Sequence, residues 1–292
     1  MKNVLITGCN GLIGEALVQT LLQNASFNLY GLGRSVRPSI NSIRLDLSKE
    51  WSEKDLPAQM DVIIHLAQSE KFREFPGSSV EVFNVNTLST IKLLEYGRKA
   101  GIKKFIYASS GGIYGNSDTG FLEEHPVTNS ADLGFYLGTK FCSEILALNY
   151  VNYFDVDVLR FFFVYGKNQN AGMLIPRLVN NVVNGNEISL VGTEGIKINP
   201  VHVSDAVSAI ENAIRLKGSN KFNISGSEVF TLRKICEIIG KKVNKLPVFK
   251  VNPGEPKNLI GDNAKMKKML AAPKISFEKG INEVIEKYVG KI

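Results

Sequence analysis

Short apolar runs alternate with helix-period stretches through the first half of this chain. The runs fall at Val4–Thr7, Leu29–Leu32, Val62–Leu66, Phe105–Ala108 and Val156–Val164. They are rich in β-branched and aromatic residues and nearly free of polar ones, as strands covered on both faces require. Between them apolar residues return at the spacing of one helix face, as in Leu12, Ile13, Ala16, Leu17 and Leu21, and most clearly over Val82–Ala100 and Tyr136–Tyr153. The alternation predicts an α/β protein, a doubly wound parallel sheet with helices on both faces. Ligands of such sheets gather at the carboxyl ends of the strands. Gly8, Gly33, Gln68, Ser109–Gly112 and Tyr165–Gly166 cluster at those ends.

The pattern changes after Gly166. A helix over Met173–Asn184, a strand over Ile198–Val203 and a helix over Ser204–Leu216, with Ser204 as its N-cap, are predicted. Short helices separated by Pro247, Pro253, Pro256 and Pro273 follow. The expected division is a sheet domain over residues 1–166 and a smaller α/β lobe over 167–292, with some segments of the lobe returning to the first domain.

The first strand runs into Gly8-Cys9-Asn10-Gly11-Leu12-Ile13-Gly14 and then into an amphipathic helix. Glycines at this turn let backbone approach a pyrophosphate, and the helix N-terminus offers it free N–H groups. The spacing is G-x-x-G-x-x-G. The first 166 residues therefore read as a dinucleotide-binding domain.

Composition narrows the field. The chain has 292 residues and a net charge of +7. Its basic residues are scattered, with small clusters at Lys241, Lys242, Lys245 and at Lys265, Lys267, Lys268, and no aromatic residues interleave with them as base stacking requires. A solvated basic face is the reading, and nucleic acid is not expected as a partner. No apolar run is long enough to cross a bilayer, and the N-terminus does not read as a secretory signal. Cys9, Cys142 and Cys236 are odd in number and widely spaced, which predicts reduced thiols in a cytoplasmic setting. Nothing has metal-ligand spacing, so no metal site is expected. His65 follows Ile63-Ile64 and reads as a packed side chain; His125, before Pro126, reads as part of a solvated loop.

Two elements carry candidate chemistry. Tyr136-Leu137-Gly138-Thr139-Lys140 places a phenol and an ammonium one helical turn apart on one face. A nearby cation favours phenolate and so tunes the phenol for proton exchange with an alcohol or sugar oxygen. Ser110, in Ser109-Ser110-Gly111-Gly112-Ile113-Tyr114-Gly115, leaves a buried strand at the ligand edge, where its hydroxyl can meet the reacting oxygen.

Taken in order, Thr7-Gly8-x-x-Gly11-x-x-Gly14, Asp46-Leu47, His65-Leu66-Ala67, Asn86, Ser110, Tyr136-x-x-x-Lys140, Leu159–Gly166 and Pro200–Asp205 resemble the extended short-chain dehydrogenase/reductases. The chain is similar, over nearly its whole length, to the NAD-dependent epimerase/dehydratase family of sugar-nucleotide enzymes. The resemblance implies a Rossmann-like fold, with Tyr136 as catalytic acid/base. It implies that Lys140 lowers the Tyr136 pKa and holds the nicotinamide ribose, and that Ser110 binds the reacting oxygen. Gly8, Asn10, Gly11, Leu12, Ile13 and Gly14 would hold the pyrophosphate end of the cofactor, Asp46 and Leu47 would meet adenine, and Leu66 and Ala67 would line the cleft. Asn86 either supports the backbone of the site or caps the following helix. A homodimer through the Val82–Ala100 and Tyr136–Lys140 helices is the usual family assembly.

Three departures refine this expectation. The second strand ends in Gly33-Arg34-Ser35, with Arg37 nearby and no carboxylate to take a ribose 2′-hydroxyl. An Arg suits a 2′-phosphate, so NADP(H) is the expected cofactor, with NAD as the other candidate. Gly111 and Gly112 stand where family dehydratases place an Asp-Glu pair, which argues against 4,6-dehydration. Phe163 and Ile198 stand where many members carry Asn and Arg, leaving Arg177, Lys197 and Asn199 as candidate substrate contacts. The first functional choice is reduction of a keto-sugar nucleotide by hydride transfer. The alternatives are a sugar-nucleotide 4-epimerase with retained NAD(P) and a non-catalytic NAD(P)-binding sensor.

Overall fold

A computed structural model describes residues 1–289. The strands are β1 (Lys2–Thr7), β2 (Phe27–Gly33), β3 (Asn41–Arg44), β4 (Val62–His65), β5 (Lys104–Ser110), β6 (Asp155–Phe161), β7 (Val164–Tyr165), β8 (Glu187–Val191), β9 (Lys197–Ile198), β10 (Val201–His202), β11 (Asn220–Ile224), β12 (Phe230–Thr231) and β13 (Val248–Asn252). The helices are α1 (Leu12–Leu21), α2 (Ser79–Phe83), α3 (Ser89–Ala100), α4 (Gly134–Leu148), α5 (Leu174–Asn184), α6 (Val203–Ala213), α7 (Leu232–Val243), α8 (Ala264–Met269) and α9 (Phe277–Val289). A π-helical turn over Asn84–Leu88 joins α2 to α3.

Seven strands form the main sheet in the order β11-β6-β5-β4-β1-β2-β3. The pairs of β1 with β2 and β4, of β2 with β3 and of β4 with β5 are parallel. This is the doubly wound, Rossmann-like sheet that the alternating pattern predicts. The central strands are buried because their residues have no polar face: all of Val62–His65 is buried, as is Val4–Thr7. Helix α1 seals one face with Gly14, Leu17, Val18 and Leu21, a one-face spacing. Leu5, Ile63, Phe105, Leu93, Leu94 and Val156 belong to one apolar cluster, each large side chain contributing about 1.5–3 kcal/mol by leaving water.

The chain divides into two compact units. One comprises Met1–Ile113, Val127–Arg160 and Val207–Phe222; the other comprises Tyr114–Pro126, Phe161–Ala206 and the residues from Asn223 on. The second unit has its own apolar cluster, including Ile175, Val179, Leu190, Ile235 and Ile281.

Several element boundaries differ from expectation, each for a local reason. The sixth strand stops at Phe161 instead of running to Val164, because Phe163 adopts the left-handed region (φ 46°). That conformation costs a bulky residue about 1–3 kcal/mol, whereas Asn takes it more readily. Helix α4 ends at Leu148, short of Tyr153; the Asn149 side-chain amide donates to the Ile145 carbonyl (2.7 Å) and closes the last turn. Ser204 lies inside α6, and its N–H donates to His202 Nδ1 (3.3 Å), so the imidazole takes the capping part expected of the hydroxyl. Strands β3 and β11 carry no strong apolar run.

One buried ion pair ties α4 to the sheet. Arg160 Nε and Nη2 donate to Glu144 Oε1 and Oε2 at 3.0 and 2.7 Å, with both side chains almost fully buried. Removing one partner strands the other charge in a low-dielectric interior. Glu144→Ala is therefore expected to lower unfolding free energy by about 3–5 kcal/mol, measured by urea denaturation.

Candidate active site

The carboxyl ends of β1, β2, β4 and β5 form one edge of the first unit, and the site is assembled there. At the end of β1 the glycines are needed for space. Gly8 has φ 68°, and a Cβ on it would lie 2.9 Å from the Ala67 nitrogen. A Cβ on Gly14 would lie 2.2 Å from the Gly8 carbonyl oxygen, so no side chain fits between the turn and α1. Gly11 caps α1 without a side-chain bond, which leaves the N–H groups of the first turn, including those of Leu12 and Ile13, to an external acceptor. This cradle fits a dinucleotide pyrophosphate. Asn10 fixes its outer wall by donating to the Ser35 carbonyl and hydroxyl (3.0 and 2.8 Å).

At the end of β2, Arg34 Nη2 reaches Glu70 Oε1 at 2.6 Å, and Arg37 Nη1 donates to the Cys9 carbonyl at 3.3 Å. Asp46 accepts from the Ser48 N–H (3.0 Å) and hydroxyl (2.8 Å), bonds that hold its carboxyl below the ordinary range. Leu47 is buried in the apolar cluster under the sheet. Ala67 packs partly against the same cluster, and its N–H donates to Thr7 Oγ1 (3.1 Å).

Tyr136 and Lys140 lie in α4. The phenol donates to Gln68 Oε1 (2.8 Å), just beyond β4, and its ring lies 4.8 Å from that of Phe72. Lys140 is buried; its ammonium donates to the Ala108 carbonyl (2.7 Å) and sits 5.1 Å from the Tyr107 ring centre. Ser110 ends β5, and its hydroxyl oxygen accepts from the Gly112 N–H (3.2 Å). Gly112 is itself close against Leu137, where a Cβ would lie 3.0 Å from a methyl carbon. The loop bearing Ser110 is thus packed onto the turn of α4 that bears Tyr136.

Electrostatics depart from one expectation. Burial pushes the Tyr136 phenol up, and Lys140 does not offset this, because its ammonium is turned to the Ala108 carbonyl. Burial also pulls Lys140 down to about 8, against an opposing pull from Glu144.

A buried polar network lies underneath. Thr7 Oγ1 and His65 Nδ1 are 2.7 Å apart, and His65 Nε2 and Thr90 Oγ1 are 3.0 Å apart. Thr90 donates to the Asn86 carbonyl (2.6 Å), so the network assigns the proton of a neutral His65 to Nε2. Burial drives His65 down to about 3, which keeps it neutral. The Asn86 amide accepts from the Ser69 N–H (3.0 Å) and donates to Thr139 Oγ1 (3.0 Å), which donates to the Tyr136 carbonyl (2.7 Å). Asn86 therefore supports the backbone of the site; it sits inside the π turn, where no cap is needed. Sequence reasoning placed Gln68 at the ligand edge and quoted Thr7 and Thr139 within motifs without their bonds, and it missed Thr90 and Glu70. Only the apolar setting of His65 hinted that a buried polar network had to exist.

The candidate substrate contacts lie in the second unit. Arg177 on α5 and Lys197 on β9 are exposed. Asn199 is buried. Its amide nitrogen donates to Ser225 Oγ, the Gly226 carbonyl and the Gly261 carbonyl (3.1, 3.2 and 2.7 Å), while its oxygen accepts from the Gly261 N–H (3.0 Å). That side chain is fully used in holding its own unit together.

Residues 4–225 match the model of the NAD dependent epimerase/dehydratase family. The chain belongs to that family. Like its other members it is an enzyme of the sugar-nucleotide-modifying, extended short-chain dehydrogenase/reductase class. Among its relatives is an uncharacterized UDP-glucose epimerase, YtcB, of Bacillus subtilis, 28% identical with 97% of this chain and 96% of that protein covered. Another is the dTDP-4-dehydro-6-deoxyglucose reductase of Escherichia coli, 26% identical with 98% and 97% covered. Of the solved structures, MoeE5 in complex with UDP-glucuronic acid and NAD superposes with a TM-score of 0.84, at 26% identity, covering 97% of this chain and 98% of that one. Among the described residues, no helix is long and apolar enough to cross a membrane.

The depressed Lys140 has a consequence for stability. Its folded pKa of about 8 lies below the unfolded value near 10.4, so between these pH values the unfolded chain binds more protons and stability rises with pH. Relative to Lys140→Met, the native protein is expected to gain roughly 3 kcal/mol from pH 8 to pH 10.5, with no relative change below pH 8. Paired urea titrations across that range measure the difference.

Proposed function

We propose that this chain is an NAD(P)H-dependent reductase of a keto-sugar nucleotide. The observation that carries the reading is the placement of Tyr136, whose phenol donates to Gln68 just beyond β4 with Lys140 one turn along α4. A phenol is protonated at neutral pH and can give its proton to an oxygen that gains negative charge, as carbonyl reduction requires. When bound, the reduced nicotinamide supplies the hydride. Tyr136 protonates the developing alkoxide, Ser110 orients the reacting oxygen, and Lys140 holds the nicotinamide ribose. Gly8, Asn10, Gly11, Leu12, Ile13 and Gly14 hold the pyrophosphate, Asp46, Leu47, Leu66 and Ala67 line the rest of the cofactor cleft, and Arg177 and Lys197 are the charged candidates for the substrate's diphosphate. For the cofactor, Arg34 and Arg37 after β2 speak for the 2′-phosphate of NADP(H), whereas the pairing of Arg34 with Glu70 and the NAD of the MoeE5 complex speak for NAD(H). A cytoplasmic setting supplies such reductants.

The second reading is a sugar-nucleotide 4-epimerase, favoured by the likeness to the uncharacterized UDP-glucose epimerase of Bacillus subtilis and to MoeE5 in complex with UDP-glucuronic acid and NAD. Exposed Val80, Phe83, Leu88 and Ile145 on the helices around α3 and α4 suit a homodimer.

The two readings separate on cofactor balance. With a panel of UDP- and dTDP-linked 4-keto sugars, the reductase consumes one NAD(P)H per product, whereas an epimerase forms product without net consumption. Tyr136→Phe is expected to lower turnover by about 10²–10⁴-fold while leaving dinucleotide affinity unchanged. Product formation without NAD(P)H loss would replace the first reading by the second.

A further inference from the structure

Strand β1 lies between β4 and β2, so the glycine turn that ends β1 is flanked by the loops that follow these two strands. Arg34 stands immediately after β2, and Glu70 lies five residues beyond His65, the last residue of β4. Their side chains meet at 2.6 Å. An ion pair therefore joins the two flanks of the pyrophosphate cradle. The carboxylates of Asp46 and Glu81 also act on Arg34, and together with Glu70 they hold its guanidinium above its ordinary range. Lys71, beside Glu70, pairs with Glu81 at 2.7 Å.

The edge of β2 is where this fold distinguishes a ribose 2′-hydroxyl from a 2′-phosphate. Ordinarily a carboxylate at that edge serves the hydroxyl and an Arg serves the phosphate. Here the Arg comes from β2 and a carboxylate arrives from the far side of the turn. A 2′-phosphate has to take Arg34 from Glu70 and then sit beside the released carboxylate. A 2′-hydroxyl carries no charge, meets no such repulsion and can donate to an acid.

We propose that Glu70 is a specificity-determining residue of the dinucleotide site: by holding Arg34 across the glycine turn, it disfavours a 2′-phosphate and shifts the balance toward NAD(H). The inference rests on the dinucleotide-binding part of the proposed function and not on the identity of the sugar. The two side chains are 63% and 75% exposed, so their pairing adds little to stability and substitution leaves the fold intact.

The experiment is a fluorescence titration of the full chain with NADH and with NADPH. Glu70→Gln is expected to tighten NADPH about fivefold and to change NADH by less than about twofold. The gain is expected to shrink as salt is raised, because both charges are exposed. Adding Arg34→Ala to the Glu70→Gln protein is expected to abolish it, since the released guanidinium is its source. An NADPH-to-NADH affinity ratio unchanged in Glu70→Gln, with both dinucleotides still bound, overturns the assignment of Glu70 alone. Failure of the unsubstituted chain to bind either dinucleotide overturns the cofactor reading as well.

Discussion

The buried amide of Asn86 is the constraint on which the site depends. It has one acceptor and one donating nitrogen inside a dry interior, and each is committed to a different segment: Ser69 on the loop after β4 and Thr139 on α4. A buried amide left unpaired costs about 1–3 kcal/mol, so neither segment can shift without leaving a polar group exposed to apolar surroundings. The π turn at Asn84–Leu88 brings Asn86 to this position. One extra residue in the turn rotates the helix that follows, and the same turn offers the Asn86 carbonyl to Thr90 and Ser143. Gln68 and Tyr136 meet because the backbones on either side of them are pinned by this one side chain.

The parts legible in the sequence were those that repeat or that exclude alternatives. The first, fourth and fifth strands announce themselves by the apolar stretches Val4–Ile6, Val62–Ile64 and Phe105–Ala108, and Gly8, Gly11 and Gly14 mark the turn because backbone needs the space of a side chain there. Less legible were β3 and β11. Asn41-Ser42-Ile43-Arg44 lies at a sheet edge and buries little, so it carries no apolar signature. In Asn220–Ile224 the last three residues are buried, but the polar Asn223 stands between Phe222 and Ile224 and breaks the apolar run. Contacts between segments far apart in sequence were not legible at all. Nothing in the chain announces that Glu70 meets Arg34, or that Asn199 spends its amide on Gly261. The resemblance supplied roles for Tyr136 and Lys140. It did not reveal that in this structure the phenol faces a glutamine and the ammonium a carbonyl.

Charge at the site is managed by burial. Lys140 and Glu144 are one turn apart on α4 and both are buried, yet Glu144 gives its two oxygens to Arg160. The same carboxylate also acts on Lys140, drawing its pKa upward against desolvation. Without that anion the ammonium would be harder to keep charged near neutral pH. The pair that ties α4 to the sheet thus also acts on the residue expected to hold the nicotinamide ribose. Structural and electrostatic demands fall on the same carboxylate.

Three successive residues after β4 divide the work along the cofactor edge. Gln68 accepts from the phenol, Ser69 is held by Asn86, and Glu70 reaches back across the glycine turn to Arg34. The middle residue is buried and fixed while its two neighbours are exposed and face opposite ends of the site. An extended segment sends alternate side chains to opposite sides, but the useful contacts here come from the two outer residues of the three, and they diverge because the loop turns around the anchored Ser69. The proton-donating state of Tyr136 and the electrostatics around Arg34 therefore share one support. A change of one residue in the length of this loop would misplace both together, whereas a substitution at Gln68 or Glu70 acts on one end and leaves the other in place.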